Sequence, residues 1–407
     1  MATNKGVVIT GSRNLDAFVD VRPTPYPKLE DDKIIIRSVA HGVNPTDWKH
    51  IFTEDFLAKI VSDVFKYPGF GIGLIETPLG FIGSTIGYYL GKCLTFLVQK
   101  GKVVGSDVSG IVEEVGRNVT NVKKGDIVSA SLHGATSKNG GFAEYVAVRA
   151  IDVIKYHPSQ ILNAPLDAGN HPGKIIDSFE AAASITLGLK TVGLSLHHNL
   201  GIPLNKTQNA NDYLLIWGGA TATGILAIQV AKLVYGINVI TTASKRNHAL
   251  LRELGADEVL DYNDADVVDQ IKRVGQNRIK YAFDCVSSTQ TLQSVYDATA
   301  GTDQVAIDNL LFLTENAITT DNTRKVKFTW TNVYMLDLET YMGTKPSPKM
   351  LLDFREFWDL YLTAIIENIK TAPLKVLPAG FESAMEGLRL LHQNKVSGQK
   401  VVFRSKL

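Results

Sequence analysis

Residues 213–227, YLLIWGGATATGILA, decide the fold. The first five are apolar and β-prone, 218–224 contain only Gly, Ala and Thr, and an apolar helical pattern follows. That order reads as strand, tight turn and helix. A turn of such small residues lets the backbone approach a ligand, and the free N–H groups of the following helix's first turn suit a pyrophosphate. Gly219-x-Thr221-x-x-Gly224 has the spacing of the dinucleotide fingerprint with its middle glycine replaced. Alone, the motif fits any small-residue β–α turn equally well.

Working outward, strands and helices alternate. The pattern predicts a strand over 214–217, a helix to Tyr235, a strand over 238–242, a helix to Leu254, a strand over 258–260, a helix to Val274 and a strand over 281–285. This is the signature of a doubly wound parallel sheet. Upstream, short strands at 5–11 and 33–40 flank a proline-rich loop (Pro23, Pro25, Pro27), and alternating strands with Gly-rich corners follow from Lys102 to about 148. A β-rich first domain is expected there. Residues 161–178 read as a polar loop and 179–196 as a helix. The end of the chain supplies helices over 348–369 and 381–394 and strands at 375–377 and 400–403.

The 407 residues suffice for two domains, and a formal net charge of +1 excludes the basic excess of a nucleic-acid binder. Two cysteines, Cys93 and Cys285, are too few for a disulfide framework or a four-thiolate zinc site and point to a reducing compartment. The final residues Ser405, Lys406 and Leu407 spell the tripeptide read by peroxisomal import receptors. A peroxisomal location is therefore expected, with the cytoplasm as the alternative.

Several motifs in order, NPTDWKH (44–50), GSDVSG (105–110), HGA (133–135) with GFAEY (141–145), WGGATATG (217–224), GADEVLDYNDADV (255–267) and DCVSSTQT (284–291), carry a resemblance. They resemble the medium-chain dehydrogenase/reductase superfamily, within it the zinc-lacking fungal NADPH-dependent aldehyde reductases, quinone oxidoreductases and trans-acting enoyl reductases. The resemblance implies an α/β protein: a GroES-like β domain over 1–178, a Rossmann domain over 179–345, and a return to the first domain over 346–407. It also implies hydride transfer from a nicotinamide cofactor.

Zinc-dependent relatives bind their catalytic metal through Cys and His. At the matching positions this chain has Asn44 and Ser106-Asp107, which cannot replace thiolate and imidazole, so no metal is expected. The resemblance places Asn44 beside the nicotinamide, Thr46 at the hydroxyl of a proton relay and Lys49 at a relay histidine. His50 stands next to them as an acid, and Tyr67 is a further candidate acid. Asp47 reads as a structural acceptor.

An NAD site carries Asp or Glu at the end of the second Rossmann strand. Here Ser244, Lys245 and Arg246 follow that strand without an acid, and a hydroxyl with two cations suits the 2′-phosphate of NADPH. Gly219, Ala220, Thr221, Ala222, Thr223 and Gly224 cradle the pyrophosphate in this reading, with Thr221 adding a hydroxyl. Tyr262 flanks the adenine or the phosphate, Val286 and Ser287 close over the ribose, and Thr191 stands behind the nicotinamide.

Compared with the aldehyde reductases, the chain carries an apolar, glycine-rich insertion over about 53–101. Inserts of that length are usually functional. Three readings stay open: a lid or homodimer contact, peripheral membrane contact through 69–99, or a membrane span. An apolar insertion beside the cleft favours a hydrophobic substrate. The sequence thus predicts a zinc-independent NADPH-dependent reductase of a carbonyl substrate of aldehyde type. Reduction of an activated C=C bond (enoyl thioester, enone or quinone) is the alternative. A non-catalytic, membrane-associated nucleotide-binding protein is the other class.

Overall fold

The computed structural model describes residues 3–12, 14–52, 99–161, 164–336 and 345–406. Tyr67 and most of the insertion lie outside these residues. The first domain holds β1 (Thr3–Ile9), β2 (Val19–Pro25), β3 (Lys33–Gly42), β4 (Asp107–Val115), β5 (Ile127–Ser131), β6 (Tyr145–Arg149), β7 (Ile154–Tyr156) and β8 (Gly169–His171). The second holds β9 (Tyr213–Trp217), β10 (Asn238–Thr242), β11 (Glu258–Leu260), β12 (Ile279–Asp284), β13 (Gln304–Asn309) and β14 (Lys325–Trp330). The chain then returns through β15 (Leu374–Val376) and β16 (Lys400–Arg404).

In the first domain β16 and β15 join the path β7-β5-β4-β3-β16-β15-β8, and β6 pairs with β3. All three registers that join β16 to β3 and β15, and β15 to β8, tie the end of the chain to its beginning. The proline-rich stretch expected as a loop instead forms β2, antiparallel to β1 in a separate two-stranded sheet. Prolines are tolerated there because an edge strand leaves some N–H positions outside the ladder.

The second domain is a parallel sheet in the order β11-β10-β9-β12-β13-β14. Its order puts the opening stretch, β9, at the centre, where the chain reverses direction across the sheet. Ligands bind at such a switch point, beyond the carboxyl ends of the strands. Leu214, Leu215 and Ile216 are buried on both faces of the sheet, which explains the unbroken apolar run.

The helix expected over 179–196 is split into Phe179–Ala182 and Thr186–Gly193, followed by a π-turn over Leu194–Asn199. Helical residues 348–368, read in sequence as the start of the return, pack against this unit. Phe357 lies so close to Gly193 that an added Cβ would be 2.2 Å from its ring, and Asp353 accepts from His198 at 2.7 Å. Among the described residues no helix is long and apolar enough to cross a membrane.

Candidate functional site

A cleft of about 850 Å³ runs between the two domains, lined by the turn after β9, the helix after β3, residues 310–312, residues 331–334 and the returning segment before β16. Its size suits a cofactor with a small-molecule substrate.

At the nucleotide end the glycines act sterically. Gly218 adopts φ +83°, and a Cβ on Gly219 would sit 2.1 Å from Thr241 Oγ1. A Cβ on Gly224 would meet the Gly218 carbonyl at 2.5 Å. Gly219 thus lets the turn pack on β10 and Gly224 lets the helix pack on the turn, while Gly218, Ala220, Thr221, Ala222 and Thr223 line the cleft. The hydroxyl of Thr221 also has a structural use. It accepts from Gly224 N–H at 2.9 Å and caps the helix Ala222–Val230, as a threonine N-cap does.

Ser244, Arg246 and Tyr262 line the same end. Lys245 is directed away, its side chain 77% exposed and 4.0 Å from Asp264. Val286 lines the cleft. Ser287 is buried with its hydroxyl occupied, donating to Asp284 O and accepting from Leu310 N–H. Ser287 therefore shapes the 310–312 wall and does not reach a ligand with its oxygen. Thr191 lines the floor, donating to Leu187 O.

At the reaction end, Asn44 caps the helix Pro45–Ile51 and Pro45 begins it, where the lost N–H has no helical partner to serve. The first turn presents Thr46 and Lys49 to the cleft. The Asn44 amide is not a free donor: Nδ2 donates to Asp107 Oδ2 at 2.9 Å and to Gly42 O at 3.3 Å, while Oδ1 accepts from Lys400 Nζ. Lys400 also lies 3.2 Å from Asp107 Oδ2, with side chains only 5% and 0% exposed. A buried ammonium thus sits among the residues that stand at the relatives' metal-ligand positions. Asp107 Oδ1 accepts from Leu187 N–H, so the oxygens are satisfied by N–H donors. Among the described residues no group of three or more His, Cys, Asp or Glu is placed to hold a metal.

Sequence reasoning missed Tyr334 and Lys400. Tyr334 comes from the Rossmann side, just after β14, and is 3% exposed. Its hydroxyl is 3.0 Å from Thr46 Oγ1 and 3.2 Å from Ser106 Oγ. Ser106 donates to Asp47 Oδ1 at 2.6 Å, and Asp47 Oδ2 accepts the Asn44 N–H at 2.8 Å. Burial pushes the Asp47 carboxyl up to about 7, against the pull of Ser106, Asn44 and Lys400.

His50, expected as an acid, is neutral at pH 7. Burial lowers it to about 4, and the Lys49 charge adds to the effect. Its neighbour His133 is lowered to about 3 by burial and stacks on Tyr334 with ring centroids 4.0 Å apart.

The tail is also placed. Ser405 is 4% exposed, with Oγ 2.9 Å from His41 Nε2 and its N–H on Val39 O. Lys406 is exposed, and Leu407 is outside the described residues.

A dinucleotide cleft on a six-stranded parallel sheet, facing a polar cluster on a β domain, defines a two-domain oxidoreductase scaffold. Comparison with known proteins agrees. Residues 77–158 match the alcohol dehydrogenase GroES-like domain and 222–322 match the zinc-binding dehydrogenase family model. The chain is 34% identical to a trans-enoyl reductase, fsa3, of Fusarium sp. over 75% of its own length and 84% of the relative's. In fold it is similar to the CurK enoyl reductase (TM-score 0.67, 17% identity, 99% of each chain) and to a quinone oxidoreductase from Coxiella burnetii (0.61, 21%, 100% of each). The chain belongs to the medium-chain dehydrogenase/reductase superfamily and is an oxidoreductase of that family, whose members bind NAD(P)H.

Proposed function

We propose that this protein is an NADPH-dependent reductase of C=C bonds conjugated to a carbonyl, acting on a hydrophobic substrate. The observation that carries this reading is the substitution of a hydroxyl cluster, Thr46 and Tyr334, and a buried ammonium, Lys400, for a metal. Hydride addition to a conjugated C=C leaves the charge delocalised as an enolate, which hydrogen-bond donors can stabilise. Direct reduction of an aldehyde concentrates charge on one alkoxide oxygen and makes a heavier demand on the same donors.

The trans-enoyl reductases among the relatives support the enoyl reading, which the sequence placed second to aldehydes. Bound NADPH would supply the hydride. Backbone N–H groups of Ala222 and Thr223 would hold its pyrophosphate and Ser244 with Arg246 its 2′-phosphate. Trp48, Leu187, Leu311 and Phe312 give the substrate end an apolar wall.

The test is NADPH oxidation by the purified protein against 2-enoyl thioesters, enones, quinones and medium-chain aldehydes. Turnover of the thioesters or enones well above the aldehydes is expected. Aldehydes alone as substrates would reverse the assignment, and NADPH binding with no turnover in any class would favour a sensor.

A further inference from the structure

We propose that Tyr334, Ser106 and Asp47 form a proton relay that ends on Thr46 and delivers the proton completing reduction in the cleft. The proposal rests on the reductase reading above and adds the source of the proton.

The chain of oxygens is continuous. Thr46 Oγ1 to Tyr334 Oη is 3.0 Å, Tyr334 Oη to Ser106 Oγ is 3.2 Å, and Ser106 Oγ to Asp47 Oδ1 is 2.6 Å. Thr46 lines the cleft, whereas Tyr334, Ser106 and Asp47 are 3%, 0% and 1% exposed. Each hydroxyl is both donor and acceptor, so the chain has two complete orientations. With Asp47 ionised, every hydrogen points toward the carboxylate. With Asp47 protonated, every hydrogen points toward the cleft.

Asp47 differs from an ordinary capping carboxylate. A helix's first turn normally exposes its acid to water, which keeps it ionised. Here the group is enclosed, and its carboxyl is held near about 7. The charged and titratable groups that act on it come from three elements: Lys400 on β16, Asp107 on β4 and Tyr334 from the Rossmann side. Lys400 favours the carboxylate and Asp107 the acid. Tyr334 is raised far above its usual range by burial, so it passes a proton through without ionising.

The step balances as follows. Hydride adds to the β-carbon, the π electrons shift toward the carbonyl, and the resulting enolate takes a proton from Thr46 O–H. Thr46 is reprotonated by Tyr334, Tyr334 by Ser106, and Ser106 by the Asp47 acid, which ends as the carboxylate. After product release, water in the cleft returns a proton along the same chain. No further reactant is consumed.

Two measurements test the relay on the full-length protein. In the first, carbon-13 NMR of carboxyl-labelled aspartate follows the protein without cofactor. One aspartate should titrate near 7, and Ser106→Ala should shift that titration. In the second, the substrate found with the panel above is used for pH profiles and solvent deuterium isotope effects of Tyr334→Phe, Ser106→Ala and Ser106→Thr. Loss of the relay should lower kcat about 100-fold and abolish its pH dependence near 7. The isotope effect should rise, Ser106→Thr should restore both, and NADPH binding should stay within about twofold. Aspartates that all titrate below pH 5, or both hydroxyl-deleting variants with wild-type pH profiles and isotope effects, would overturn the relay. Turnover absent for every substrate class removes the reductase reading, and the relay with it. Turnover with unchanged variants removes the relay alone.

Discussion

Lys400→Met probes the ammonium that stands beside Asn44 and Asp107. Lys400 Nζ is 3.2 Å from Asp107 Oδ2, and the pair is almost completely enclosed, at 5% and 0% side-chain exposure. Methionine keeps much of the volume and removes the charge, leaving Asp107 buried without its cation. Breaking a buried pair from one side costs about 3–5 kcal/mol. Asp107 retains N–H donors from Asn44 and Leu187, so the lower end, about 3 kcal/mol, applies. At 25 °C that corresponds to about a 100-fold change in the unfolding equilibrium. Urea unfolding at constant m would measure it. The double variant Asp107→Asn/Lys400→Met removes both charges and should recover at least half of the loss. A single variant within about 1 kcal/mol of wild type, or a double variant no better than the single, would show that the pair does not stabilise the fold.

Further outcomes are expected. Arg246→Ala should weaken NADPH binding about tenfold or more, on the scale of a lost charge-assisted hydrogen bond, and leave NADH binding unchanged; Lys245→Ala should change either far less, because its side chain is 77% exposed. Equal losses for both nucleotides, measured by fluorescence titration, would remove the 2′-phosphate assignment. His41, His50 and His133 are buried with folded values lowered to about 4, 4 and 3, so their stabilising contribution is complete above about pH 6.5 and is lost as pH falls. Asp47 and Asp284, raised to about 7 and 6, act oppositely, contributing fully at low pH and fading as pH rises through 6–7. Asp308, buried and raised as well, also opposes the histidines, so the test removes one histidine: His41→Gln should lessen the loss of stability between pH 6.5 and 4.5, and denaturation midpoints with an unchanged pH dependence would contradict it. Peroxisomal import is proposed on the tripeptide Ser405, Lys406 and Leu407. Because Ser405 is tied to His41, a receptor must first detach the tail. An N-terminally tagged fusion should be punctate and its deletion of 405–407 diffuse, and a diffuse full-length fusion would end the proposal.

Local chemistry made much of this protein readable from its residues. The unbroken apolar run of β9 followed by a Gly, Ala and Thr turn admits few structures besides a buried parallel strand entering a helix. Ser244, Lys245 and Arg246 were assigned together as one short segment after β10, and of these Ser244 and Arg246 line the cleft while Lys245 is directed away. The absence of His at 106 and of Cys at 44 could be read directly, since ligand types are properties of single residues. Thr221, in addition, caps its own helix by accepting from Gly224 N–H, a use that the fingerprint spacing does not announce. Periodicity also missed β2, whose prolines are tolerated only because the strand lies at an edge.

The reaction end was decided by tertiary structure. Lys400 lies 356 residues from Asn44, and Tyr334 lies 288 from Thr46. No spacing rule spans such distances; only the return of β16 to β3 and the closure of the Rossmann domain on the first bring these groups together. Burial, a collective property of that packing, holds His50 neutral and makes Asp47 protonatable near neutrality. Sequence alone determined the strand, turn and helix that line one end of the cleft, because they are built from one contiguous stretch. The fold determined which groups meet at the other end of the cleft, because they come from distant parts of the chain and owe their protonation to being enclosed together.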